Sequence, residues 1–573
     1  AVSQYTVDDF LDVTDYRGIS FSPDASKILV SSDIYGVYNA YAIPVGQGDM
    51  QQLTESKTDS VFAEAYFPRD ERFLFHTDQG GIELDHLYVR ELDGSIRDLT
   101  PGEELRAKAL GFTHDGGSFI VVTNERDKRF FDVYEYATDD YEREMIFRND
   151  EGYQLRGITP DERYLALQKI RARNDSDIYL FDRQTAKLEH ITPHEGDVAN
   201  TPQAFSSDSS GLYFTTDEDS EFAYLVRYDL ASGDRETLLE ADWDVWFATP
   251  SKLGKFIVVG INNDARTQIQ VYETETMTPL ELPEIPEGDI TSLRISDDEK
   301  TIAFYLNASR QPNDLYIWDL DGEPRRLTRS LPTSIDAADL VDGEVVRFAS
   351  YDGLGIPGVL YTSHQASTED PAPALVWVHG GPGGQSRIGY DALLQYLVNH
   401  GYVVYAINNR GSSGYGKTFY GADDRKHGEA DLGDCVASRQ MLIDTGYVDS
   451  DRIGIIGGSY GGYMVLAALT LEPEAFAVGV DIRGISNWIR TLESIPAWWE
   501  DVRQALYVEM GDPSEDAERL RRISPLFNAD NISRPLMVLQ GANDPRVLKV
   551  ESDAVSYTHL RAHETNPCIS YAV

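Results

Sequence analysis

Over its first 330 residues the chain alternates apolar and polar positions with a period of two, in short runs broken by turn signals. "FSPDASKILVSS", beginning at Phe21, sets the pattern. It returns as "YFPRDERFLFHT" around Phe67, "GFTHDGGSFIVVT" around Phe112, "GITPDERYLALQ" around Ile158, "FSSDSSGLYFTT" from Phe205, "FATPSKLGKFIVV" around Ala248 and "RISDDEKTIAFYL" around Ile295. Each copy runs into a further alternating strand, such as "HLYVRELD", "DIYLFD" or "DLYIWDL", and several close on "QQLT", "RDLT" or "RRLT". A Pro-Asp or Asp-Gly turn joins the first two strands of each unit. A sheet of four such strands is too small to bury its own faces; radial stacking buries both and leaves only short edges. Seven copies about 46 residues apart predict a seven-bladed β-propeller over residues 14–335, after an N-terminal segment 1–13. Enrichment in Tyr, Val, Thr and Phe argues against a helical solenoid of similar period.

Beyond "RRLTRSLP" the periodicity changes. "EVVRFASYDGLGIPGVLYTS" (residues 344–363) predicts two strands joined at Asp352-Gly353, and "HQASTEDPAPA" a polar loop. Continuous apolar runs follow: "ALVWV", "YVVYAI", "RIGIIG", "AVGVDI" and "PLMVLQ", separated by helical stretches. Strands without alternation are buried on both faces, so residues 336–554 predict an α/β domain.

Three motifs fall at the carboxyl ends of those strands, where an open α/β sheet places its ligands. "GGSYGG" (Gly457–Gly462) stands between the strand "RIGII" and the helical "YMVLAAL". This is the context of a nucleophile elbow, with Ser459 on a turn too tight for side chains at Gly457 and Gly461. "HGGPGG" (His379–Gly384) follows "ALVWV"; Gly381 is its candidate oxyanion donor, with the backbone N–H of Tyr460 as the second. "LQGANDPRV" places Asp544 after "PLMVLQ", as the group that would orient an imidazole and stabilise its charged form. The order Ser…Asp…His puts His379 on the wrong side of the serine for the base, so it is assigned a structural part in its loop.

Charge and composition then narrow the partners. The formal net charge is −46, from 96 acidic and 50 basic side chains. Such a field repels nucleic acid and anionic lipid. No run of 18 apolar residues predicts a membrane span. Two cysteines, Cys435 and Cys568, form neither a disulfide framework nor a metal-ligand spacing, and Cys435 is expected to be a buried small hydrophobe. No cofactor or metal is called for. Ala1 in place of Met fits a removed signal peptide, hence a periplasmic or secreted protein, and otherwise a cytoplasmic one.

The ordered landmarks "YDGLGIPGVLY", "HGGPGG", "NNRGSSGYG", "GGSYGGYM", "NWIRTLESIPAWWE", "MGDP" and "GANDPRV" resemble the prolyl oligopeptidase family of serine peptidases over nearly the whole chain. The resemblance implies a propeller followed by an α/β-hydrolase domain, and hydrolysis of short peptides through an acyl-enzyme, with the propeller limiting substrate size. Gly458 and Tyr460 beside the serine are similar to the acylaminoacyl-peptidase branch. A dipeptidyl or prolyl-specific peptidase is the alternative, a promiscuous esterase another, and a propeller binding module with an inactive hydrolase domain a reading of a different class. Trp498 and Trp499 could line a hydrophobic specificity pocket, although two aromatics beside a Pro are as often plain core. Family position hints at a structural or substrate-binding part for Arg410, although an Arg there can equally pair with a neighbouring carboxylate. Glu103 and Glu104 are a weak match to the acidic pair with which the dipeptidyl branch holds a free amino terminus.

The family pattern places the catalytic histidine about 30 residues past the aspartate, which falls just beyond Val573. His559 and His563 come too soon, and "VSYTHLRAHETNPCISYAV" offers no apolar strand. "VSYTHLRAHET" and "ISYAV" instead resemble a translated sequencing adaptor. The expectation is that residues 555–573 are non-native, that the sheet stops before its last strand, and that the triad histidine is absent from this chain.

Overall fold

The computed structural model describes residues 2–286, 288–562 and 571–572. Seven four-stranded antiparallel sheets run in sequence from Tyr16 to Arg326, one per repeat. An aspartate of the repeat makes the first hairpin in six of the seven units; in the sixth, Glu299 of the next blade accepts from Leu253 and Lys255 N–H instead. Asp24 accepts from Ser22 Oγ and Ser26 N–H, Asp115 from Thr113 Oγ1 and Gly117 N–H, and Asp208 and Asp298 act alike. These side chains satisfy turn amides that no strand partner reaches. Neighbouring blades bury mixed clusters, for example Phe67, Leu74 and Leu87 against Phe119, Val121 and Tyr136. Every blade is made of consecutive strands, so no shared strand closes the ring. Packing closes it: Tyr16, Ile28 and Val30 of the first blade meet Ala303, Tyr305 and Leu315 of the seventh, and Tyr305 Oη donates to Gly18 O at 2.9 Å.

The second domain is one eight-stranded sheet: β1 (Glu344–Ala349), β2 (Gly355–Tyr361), β3 (Ala372–Val378), β4 (Val403–Ile407), β5 (Val448–Gly458), β6 (Gly479–Ile482), β7 (Leu536–Leu539) and β8 (Tyr571–Ala572). Their spatial order is β1-β2-β4-β3-β5-β6-β7-β8, antiparallel at β1/β2 and β2/β4 and parallel elsewhere. Helices α1 (Ala392–Asn399), α2 (Ala430–Asp444), α3 (Tyr460–Leu471), α4 (Glu500–Met510) and α5 (Lys549–Ala562) lie between or beyond these strands. Helix α3 is buried along almost its whole length, which is why its sequence is apolar all round. This is a seven-bladed propeller joined to an α/β-hydrolase domain, as the repeat and the apolar runs predict.

One expectation is corrected. The sheet does not stop at β7: Tyr571 and Ala572 pair in parallel with Val538 and Leu539. Two residues of pairing need no apolar run, so hydrophobic patterning cannot reveal them. Residues 555–562 continue helix α5, and Val555 is buried in the domain core. The side chain of His559, the whole of His563 and Cys568 lie outside the described residues.

Candidate active site

Strand β5 ends at Gly458, helix α3 starts at Tyr460, and Ser459 makes the bend with φ 56° and ψ −117°. A non-glycine residue in that region is strained and persists only because its surroundings hold it. Ser459 N–H donates to Ile482 O at 2.9 Å, tying the bend to the end of β6. The bend is as tight as the sequence requires. A Cβ on Gly461 would lie 2.0 Å from Val378 O, and one on Gly457 would lie 2.6 Å from the Gly461 carbonyl carbon.

The glycine loop after β3 passes directly over the serine. A Cβ on Gly380 would stand 3.6 Å from Ser459 Cβ. Gly381 follows, and neither its N–H nor that of Tyr460 donates to another group among the described residues. His379 faces away from this chemistry. Its Nδ1 donates to Gly380 O at 2.7 Å, its Nε2 meets Ser412 Oγ at 2.7 Å, and burial pushes the imidazole down to about 4. The ring is therefore neutral at physiological pH and braces the loop.

Ser459 and Asp544 line one cavity of about 670 Å³ between the two domains. Asp544 Oδ1 accepts from the N–H groups of Arg546 and Val547 at 2.9 and 3.0 Å, which fixes the carboxylate at its turn. The propeller contributes Gly80, Gly81 and Glu83, from a hairpin of the second blade. Arg546 binds Glu83 Oε1 at 2.7 Å, and Asn543 donates to Gly80 O at 3.1 Å, so the loop carrying Asp544 leans on the propeller. No histidine lines this cavity among the described residues.

The other expected residues lie elsewhere. Arg410 is buried and spends its guanidinium on Asp434 and Asp352, at 2.8 Å to each, so the structural side of its reading holds and it does not line the cavity. Neither Trp498 nor Trp499 lines the cavity: both are half-buried, and Trp499 meets the lining residue Arg546, whose guanidinium stands 4.3 Å from its ring. Glu103 is exposed and Glu104 pairs with Lys128. Cys435 is fully buried, as expected.

Three groups escaped the sequence reading. Glu83 lines the cavity with Oε2 buried and unpartnered among the described residues. Arg173, on a hairpin of the fourth blade, reaches Glu509 of α4 at 3.3 Å and lies against Gly383 of the glycine loop. Behind the elbow, Asp423, His427 and Glu509 form a buried cluster. Burial alone would lower His427, but its hydrogen bond to Glu509 and the nearby carboxylates lift it to about 9; burial pushes Asp423 up. The only sequence signal was the acidic-His run "DDRKHGEADLGD", because Glu509 lies 82 residues from His427.

A propeller capping an α/β-hydrolase sheet, with a serine elbow under a glycine loop and an aspartate in the same cavity, defines the class as a two-domain serine hydrolase. Two family models place it further. "Prolyl oligopeptidase family" matches residues 389–566, and "Prolyl oligopeptidase, N-terminal beta-propeller domain" matches residues 49–330. Dipeptidyl aminopeptidase BIII of Pseudoxanthomonas mexicana is 31% identical over 556 residues, 94% of this chain and 80% of that one. An acylamino-acid-releasing enzyme of Arabidopsis thaliana is 28% identical over 33% of this chain and 25% of its own. A puromycin-hydrolyzing peptidase of Mycobacterium tuberculosis superposes with a TM-score of 0.81 at 19% identity, covering 100% of this chain and 92% of that one. The chain belongs to the prolyl oligopeptidase family and is a serine peptidase by family. No helix among the described residues is long and apolar enough to cross a membrane.

Proposed function

We propose that the protein hydrolyses short peptides through an acyl-enzyme formed on Ser459. In this reading Asp544 orients the imidazole, and the N–H groups of Gly381 and Tyr460 receive the oxyanion. The observation that carries it is the strained Ser459 bend, opening beside the glycine loop into the cavity that Asp544 shares. The propeller wall of that cavity supports a limit on substrate size, since only flexible chains reach an enclosed serine. Gly458 and Tyr460 favour an acylaminoacyl-type preference. A dipeptidyl-type preference is the second reading, favoured by the Pseudoxanthomonas relative and by Glu83, whose free carboxylate oxygen suits a peptide's charged amino terminus.

The proton acceptor comes from outside the described residues. Loss of a triad member lowers turnover by about 10⁴ to 10⁶. The 573-residue chain is assayed with a fluorophosphonate probe, and Ser459→Ala is expected not to label at all. Labelling at an ordinary enzyme rate would place the base within residues 559–573, and labelling at a small fraction of that rate would show that no residue of these 573 serves as the base. A panel of blocked and free-amino peptides then separates the two readings. Cleavage of N-acylated peptides alone supports the first, and a requirement for the free amine supports the second.

A further inference from the structure

We propose that Asp423, His427 and Glu509 form a binding site for a divalent first-row transition cation of the zinc class, held behind the nucleophile elbow. His427 Nε2 lies 3.3 Å from Asp423 Oδ2 and 3.2 Å from Glu509 Oε1, and the ligand atoms of all three residues fall within 4.8 Å of one another. In tetrahedral coordination with bonds of about 2.0–2.1 Å, neighbouring donors stand about 3.3 Å apart. The two distances through Nε2 match that edge. One imidazole nitrogen and two carboxylate oxygens are the donor chemistry that zinc, and less selectively cobalt or manganese, accepts.

Two further observations point to a ligand. Asp423 is 1% exposed, yet its Oδ1 has no partner among the described residues. A buried carboxylate oxygen without a donor is costly unless something charged or protic meets it. The carboxylate is also fixed in place: it occupies the space of an absent side chain at Gly411, where a Cβ would lie 2.1 Å from Oδ2. Glu509 is oriented in the same way, because Arg173 holds Oε2 at 3.3 Å and turns Oε1 toward His427. Outer partners of this kind are what aim metal ligands.

Arg173 brings a positive charge that opposes a cation. Against it stand four carboxylates, those of Asp423, Asp424, Asp431 and Glu509, all acting on His427 or on one another. A cation at the centre would take the place of the proton on Nε2, which leaves to solvent. The consequence for the fold is local bracing: the Tyr460 ring stands edge-on to His427 at 5.8 Å, and its hydroxyl donates to Asp431.

The test reads metal, not turnover, and so stands apart from the chemistry of Ser459. The full chain is stripped with a chelator, dialysed against Zn²⁺ and assayed for bound metal, then reloaded with Co²⁺ for visible spectroscopy. One equivalent of zinc and the intense bands of four-coordinate cobalt are expected. Asp423→Asn, which keeps the shape of the side chain, and His427→Gln should each weaken binding by at least about tenfold. Glu103→Gln, at an exposed site, should change nothing. Should His427→Gln fail to fold, Asp423→Asn alone carries the comparison, with circular dichroism to show a native fold. Zinc that binds equally to Asp423→Asn is a surface ion and overturns the proposal. So does a folded wild-type chain that retains no zinc, which would leave an imidazolium bridging two carboxylates as the whole of the cluster.

Discussion

His379 shows how one buried side chain makes stability depend on pH. An unfolded imidazole titrates near 6.5, whereas this one is pushed down to about 4 by burial. Between those values the unfolded chain binds a proton that the folded chain refuses. The stabilisation is complete above pH 6.5 and is lost as pH falls through that window toward 4. His379→Gln should flatten the stability curve there by up to one proton, about 1.4 kcal/mol per pH unit. Urea titrations of both chains at several pH values between 4 and 7 check it, and identical slopes would refute it. The residues that sequence made legible are those whose role is local. Gly457, Ser459 and Gly461 had to be small or strained because one turn joins strand to helix. Glu83, Arg173 and the cluster at His427 depend on residues brought together by the fold, and no spacing along the chain announces that.

Among the elements, the buried ion pair of Arg410 ties three together. Its guanidinium binds Asp434 of helix α2 and Asp352 in the β1–β2 hairpin, and its own backbone follows β4. Asp434 is fully buried, so it has no water to fall back on. Removing one partner of a buried pair leaves an uncompensated charge and costs about 3–5 kcal/mol. Arg410→Ala should therefore destabilise the hydrolase domain by that amount in urea unfolding, with a smaller loss for Arg410→Lys, which keeps the charge but not the fork. A change below about 1 kcal/mol would show that the three elements hold together without it. The blades were legible at this scale because all but the sixth carry their own turn aspartate, and every one has alternating strands. β8 was not, because two paired residues leave no period to read. The same logic applies at the other end of the chain, where Tyr5 N–H donates to Asn399 and Phe10 packs on Tyr396, contacts that a segment read as preceding the propeller does not suggest.

At the scale of the whole molecule, two domains meet across a polar seam while the chain carries a charge of −46. Several seam contacts are charged: Lys417 reaches Asp217 at 3.4 Å, Thr418 donates to Glu221 at 2.5 Å, and Arg546 meets Glu83 at 2.7 Å. Salt acts on this balance in two opposing ways. It weakens exposed ion pairs, each worth about 0–1 kcal/mol, and it screens repulsion among the surplus carboxylates. The surplus of 46 acids is nearly as large as the whole complement of 50 bases, so close to half of the acidic groups cannot be neutralised by pairing. Self-repulsion of that size destabilises the compact state. Screening it should outweigh the loss of a few exposed pairs, and the Tm is expected to rise steadily between about 20 mM and 1 M NaCl, where the Debye length falls to about 3 Å. Calorimetry over that range decides the matter. A Tm that falls with added salt would mean that the seam's ion pairs contribute more than the repulsion opposes, and that domain contact rests on charge pairing above all.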